Sequence, residues 1–135
     1  MTARQAEAQR WLAQAADDLR FARHALAGRF WAQACFVSQQ VAEKAAKAVH
    51  HHRTGRPVIG HSVHALLKAL NAKAGVTDAL LELGGKLDQY YVPTRYPDAL
   101  PGVVRSDAFS ATQARDAVRA AGRVLTWARA QLRRA

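Results

Sequence analysis

One cysteine, Cys35, stands alone in 135 residues, so the chain can close no disulfide on itself. A reducing cytoplasm is the compartment this implies. Cys35 sits in an apolar helical pattern, which makes it a buried thiol rather than a nucleophile. Aromatic residues are also few, with three Trp, three Tyr and four Phe. Alanine fills much of the apolar half, and alanine favours helices and is depleted in sheets. Long apolar runs are missing: nothing approaches the roughly 18 residues of a membrane span. The first residues carry Arg4, Glu7 and Arg10 where a signal peptide would be apolar. No membrane partner is expected.

Acidic residues are scarce as well. Ten Asp and Glu stand against twenty Lys and Arg, giving a formal net charge of +10. Such a field draws polyanions, whether nucleic acid, nucleotides, an acidic protein or anionic lipid. An alanine- and arginine-rich coding bias produces the same field without a partner. The length fits one domain over residues 1–135, with one core.

What is present is helical periodicity. Leu12, Ala15, Leu19, Ala22 and Leu26 recur at three- and four-residue steps within residues 3–27, and Gly28 is expected to stop that helix through its tolerance of positive φ. A second helix is predicted from about Phe30 to His51, with Phe30, Ala34, Val37, Val41, Ala45 and Ala48 inward. Phe36, Gln40, Glu43 and Lys47 line the neighbouring stripe, where Glu43 and Lys47 have the spacing of an exposed ion pair. The short link makes these two helices an antiparallel hairpin.

Gly55, Pro57 and Gly60 mark a loop over residues 52–60. Ser62 can cap a third helix reaching about Asn71, with Val63, Leu66, Leu67 and Leu70 inward. Thr77 or Asp78 starts a fourth, weakened by Gly84 and Gly85 and ended by Pro93. Ser110 and Gln113 form a capping box for a last helix whose apolar face runs from Ala114 to Leu132. The fold class is all-α: an up-and-down antiparallel bundle of four to five helices.

The long irregular stretch before Ser110 opens with Tyr90-Tyr91-Val92-Pro93-Thr94-Arg95-Tyr96-Pro97-Asp98. Structureless stretches of this length are usually functional. Arg95 can grip phosphate while Tyr91 or Tyr96 offers a flat face to a base. The alternative is a proline-bounded turn, with the tyrosines over helix ends and Arg95 paired to Asp98. Arg56 and His61, with four residues between them, suit a cation that holds a phosphate and an imidazole that moves a proton. The other reading is a loop arginine and a helix-start histidine. Arg115, Arg119, Arg123, Arg129 and Arg133 share one face of the last helix, either solvated or binding. The six histidines lack the ligand spacing of a zinc site, and no metal or cofactor is expected.

Residues 35–48, Cys-Phe-Val-Ser-Gln-Gln-Val-Ala-Glu-Lys-Ala-Ala-Lys-Ala, the helix start at His61, and Thr94-Arg95-Tyr96-Pro97-Asp98 resemble the HEPN domain family of small helical prokaryotic proteins. The likeness spans nearly the whole chain, with its three motifs in order. It implies a helical bundle, usually a homodimer, often paired with a separate minimal nucleotidyltransferase protein in a toxin-antitoxin-like system. Nucleotide binding is the family's proposed general property, and many members are metal-independent ribonucleases. Those nucleases place a histidine shortly after an arginine near the last long helix. Here no histidine follows His64, so neither Arg95 nor Arg105 opens such a motif. Arg56 and His61 have the spacing but lie between the second and third helices. The tyrosine that receives adenylyl groups in some members is replaced by Val63.

The expectation is a non-catalytic module binding a nucleotide or RNA phosphate through Arg95, Tyr96, Asp98, Tyr91 and Lys47. A ribonuclease using Arg56 and His61 is the alternative, and a pure protein-interaction subunit a third reading.

Overall fold

The computed structural model describes residues 1–70, 72–91 and 108–134. Among these are five α-helices and no strand: α1 (Ala3–Ala27), α2 (Trp31–Thr54), α3 (Val63–Leu70), α4 (Asp78–Asp88) and α5 (Ala111–Leu132), with a 3-10 turn at Ala72–Ala74. The all-helical bundle expected from the sequence is the observed architecture.

α1 begins at a capping box in which Thr2 Oγ1 accepts from Gln5 N and Gln5 Oε1 accepts from Thr2 N. Its buried face is Ala8, Leu12, Ala15, Leu19, Ala22 and Ala25. Small side chains at most of these positions let α1 lie close along α2. The turn between them differs from the expectation in its cause. Gly28 has φ −80°, and the left-handed residue is Arg29 at φ 67°. Glycine at 28 instead leaves room for the Phe30 ring, which a Cβ there would meet at 3.0 Å. Phe30 itself precedes the helix and is 58% exposed, so it does not begin the inner stripe.

α2 is the central helix, packed against each of the other four. Ala34, Cys35, Val41, Ala42, Ala45, Ala46, Ala48 and Val49 are all fully buried. It runs one turn past His51 and ends where Gly55 turns left-handed at φ 70°. α5 packs along both α1 and α2 and starts at the expected capping box, Ser110 with Gln113.

α3 and α4 form a small pair across the α2 face. Ser62 Oγ accepts from Ala65 N, as its sequence position implies. Asp88, at the far end of α4, completes the cap. Its Oδ1 accepts from Val63 N at 2.7 Å, and its Oδ2 accepts from Ser62 Oγ at 2.8 Å and His64 N at 3.1 Å. Negative charge at a helix N-terminus satisfies otherwise unpaired amides and the helix dipole together. This ties the start of α3 to the end of α4. Gly84 permits the pair to close, because a Cβ there would lie 3.1 Å from His64 N and 3.2 Å from Leu67 Cδ1. α4 stops at Asp88, ahead of Pro93, with Tyr90 N and Tyr91 N bonded to Leu87 O and Asp88 O in a tightened last turn.

Candidate functional site

Four-residue steps on α2 place Gln39, Glu43 and Lys47 on one stripe, and all three are buried. Glu43 is the hub. Its Oε2 accepts from Lys47 Nζ at 3.2 Å, and its Oε1 accepts from Gln39 Nε2 at 3.4 Å and from His61 Nδ1 at 3.1 Å. Gln39 Nε2 also donates to His61 O at 2.7 Å, fixing the backbone that presents the imidazole. The expected exposed pair of Glu43 and Lys47 is therefore corrected. Packing of α1, α3 and α4 around α2 takes it out of solvent, leaving the two side chains 6% and 10% exposed.

Trp11 of α1 supplies the wall behind Lys47, whose Nζ lies 5.7 Å from the indole centroid. Trp11 also stacks on His51, centroids 5.7 Å apart, and donates through Nε1 to Glu7 Oε1. On the other flank Tyr91 stacks on His61, with centroids 4.9 Å apart and planes 15° from parallel. Phe36 tilts against Tyr91 at 6.4 Å. The result is an aromatic wall of Phe36, Tyr91 and His61 beside a buried carboxylate with two basic partners.

The His61 side chain is 59% exposed whereas Glu43 is 6% exposed. The carboxylate thus orients the ring from inside, and the Nε2 edge is the nitrogen that the Glu43 bond does not use. A protonated imidazole here would give Lys47, His61 and Glu43 together one net positive charge. Such an arrangement can hold an anion or move a proton.

Of the residues selected from the sequence, the fold brings His61, Tyr91 and Lys47 around Glu43. Arg56 is exposed on the loop before α3, where its backbone N donates to Thr54 Oγ1. Arg95, Tyr96 and Asp98 lie outside the described residues. Glu43, Gln39 and Trp11 are site members that the sequence reading did not select. The four-residue spacing of Gln39, Glu43 and Lys47 was a usable signal for two of them, whereas Trp11 is brought in by helix packing alone.

Three further histidines have separate partners. His50 Nε2 donates to Leu66 O at 2.8 Å, His52 Nε2 lies 3.0 Å from Arg134 O, and His64 Nδ1 lies 3.2 Å from Leu81 O. Among the described residues no three His, Cys, Asp or Glu side chains converge as metal ligands. No helix of the described residues is long and apolar enough to cross a membrane. Burial pushes the Cys35 thiol up to about 12. It also raises the Tyr90 phenol, with smaller contributions from Cys35 and Asp116.

Comparison with known proteins gives a consistent picture. The HEPN domain family model matches residues 8–131. The crystal structure of TT1696 from Thermus thermophilus is similar at a TM-score of 0.87 and 38% identity, over 92% of this chain and 97% of that one. ST0689, an archaeal HEPN homologue, gives 0.76 and 32%, over 93% and 98%. A HEPN domain protein of Thermotoga maritima gives 0.73 and 33%, over 93% and 99%. Among curated proteins, none matches the sequence.

Proposed function

The chain belongs to the HEPN domain family, and from that premise we propose that it is a non-catalytic nucleotide- or phosphate-binding module. It works as a homodimer and partners a separate minimal nucleotidyltransferase protein in a toxin-antitoxin-like pair. The observation that carries the binding role is the stack of His61 on Tyr91 over buried Glu43. A flat aromatic face suits a base, and the nitrogen donors of Lys47 and His61 beside it suit its phosphates. In the sequence Tyr91 stands four positions before Arg95, with Tyr96 and Asp98 following. Arg95 contributes the guanidinium grip in this reading.

Isothermal titration with ATP and GTP tests it. Wild-type protein should bind, while Tyr91→Ala and Arg95→Ala should each weaken binding about 10-fold, the cost of roughly one charged or stacking contact. Absence of binding by the wild type, or unchanged binding by both variants, sinks the reading. Co-purification with the product of an adjacent gene checks the nucleotidyltransferase partner, and sedimentation checks the dimer.

A second reading has its own support in the Glu43–His61 bond. A carboxylate on Nδ1 orients an imidazole, leaving Nε2 to act on a scissile phosphodiester. With Arg56 as the phosphate grip, this would be a metal-independent ribonuclease. Cleavage of RNA in the presence of chelator, lost in His61→Ala, supports it; an inert wild type removes it.

A further inference from the structure

A row of cations stands on α5, on residues that the His61 site does not use. Arg115, Arg119 and Arg123 are exposed, each one helical turn beyond the last, in steps of ~6 Å. Arg23 of α1 joins them across the helix gap: a Cβ built on Gly122 would lie 4.0 Å from its Nη2. These four arginines line one groove between α1 and α5 whose floor includes Gly122 and Val118, and none of its lining among the described residues is acidic. Arg119 and Arg123 also border a second groove on the α4 side, alongside Lys86. They form a crest between two grooves.

The carboxylate paired with this row among the described residues is Asp116, 3.4 Å from Arg119, and both side chains are largely exposed. A pair of that kind screens the row only weakly. Like charges at four-residue spacing destabilise a helix, so a row of them is a surface that a bound anion would stabilise.

We propose that this crest binds the phosphate backbone of a nucleic-acid strand, without regard to base sequence. A linear series of guanidinium forks matches a polymer of phosphates better than it matches one compact nucleotide. Base readout is missing from the groove. Its one aromatic residue among the described lining, Trp127, is half-buried and anchored by its Nε1 donating to Ala74 O at 2.7 Å, so the groove offers no series of rings on which successive bases could stack. Contacts restricted to phosphate position a strand and carry no sequence information. The crest shares no residue with the proposed nucleotide site, so either can fail without the other.

The experiment is fluorescence anisotropy with a labelled single-stranded RNA of roughly 20 nucleotides and mixed sequence, long enough to cover the crest. Four phosphate contacts predict that log K falls with log salt at a slope of about −3. Arg119→Gln/Arg123→Gln should weaken binding at least ~10-fold and bring the slope to about −1.5, with ATP binding unchanged. Arg23→Gln, on a different helix, should lower the slope by about 0.7. RNA binding by both variants at wild-type affinity and slope overturns the proposal. Competition that depends strongly on RNA sequence overturns the backbone-only mode. Inorganic polyphosphate that displaces the RNA equally well, phosphate for phosphate, overturns the assignment to nucleic acid.

Discussion

His61 lies flat over Tyr91, ring centroids 4.9 Å apart, though thirty positions separate them in the chain. The contact joins the entry of α3 to the exit of α4, the same two ends that Asp88 ties together, while Gln39 and Glu43 of α2 hold His61 in place. The site's shape depends on the α3–α4 pair closing correctly.

Asp88→Ala should remove the acceptor for three donors, Ser62 Oγ, Val63 N and His64 N. A loss of about 2 kcal/mol is expected from an N-cap carboxylate with these partners. Urea unfolding measures it. A drop in Tyr91-dependent nucleotide binding should accompany it, because the His61–Tyr91 stack loosens with the clamp.

Glu43→Ala should be among the most damaging single changes, costing about 3–5 kcal/mol, since it leaves the Lys47 ammonium buried without its carboxylate. Replacing both partners by neutral groups, as in Glu43→Gln with Lys47→Met, should recover most of that loss. Equal instability of the single and double variants in denaturant titrations would show that the cost is not that of an orphaned charge.

Two adjacent glycines should respond with opposite signs. Gly84→Ala pushes a methyl against His64 N, Val63 Cγ1 and Leu67 Cδ1 at 3.1–3.2 Å, so overpacking of about 1–3 kcal/mol outweighs the helix-propensity gain of about 1 kcal/mol. Gly85→Ala meets only His64 Nδ1, at an ordinary 3.9 Å. There the propensity gain should survive as about 0.5–1 kcal/mol of added stability. Thermal melts of the two variants decide it.

Cys35 predicts a pH effect. Its thiol is held up to about 12 against an ordinary 9.0, so the folded protein keeps the proton where the unfolded chain has lost it. Stability from this group is complete below pH 9 and falls as pH rises toward 12. The slope is on the order of 1 kcal/mol per pH unit in that window. Cys35→Ala should lack this component, so its deficit relative to wild type should shrink between pH 8 and pH 10.5. The same burial should make the native thiol slow to alkylate at pH 8.

Much of the fold was legible because it follows from local rules. The inward rows of α1, α3 and α5, the Ser110–Gln113 box and the Ser62 cap are all consequences of 3.6-residue periodicity and side-chain hydrogen bonding within a few residues. The turn after α1 was readable in place but not in cause. Gly28 serves the Phe30 ring, while Arg29 takes the left-handed conformation. That distinction depends on where a neighbouring ring settles.

The candidate site was legible only in fragments. His61, Tyr91 and Lys47 could be selected for their chemistry, yet nothing in their numbering joins them, and Glu43 looked like half of a surface pair. By itself the sequence determined which segments become helices, which faces they bury and how strongly basic the whole is, because these depend on period, composition and near neighbours. Tertiary packing alone decided that Glu43 is buried, that His61 stacks on Tyr91, and that Arg23 joins the arginines of α5. Each depends on segments distant in the chain, and its energy comes from desolvation and geometry that exist only once the helices pack.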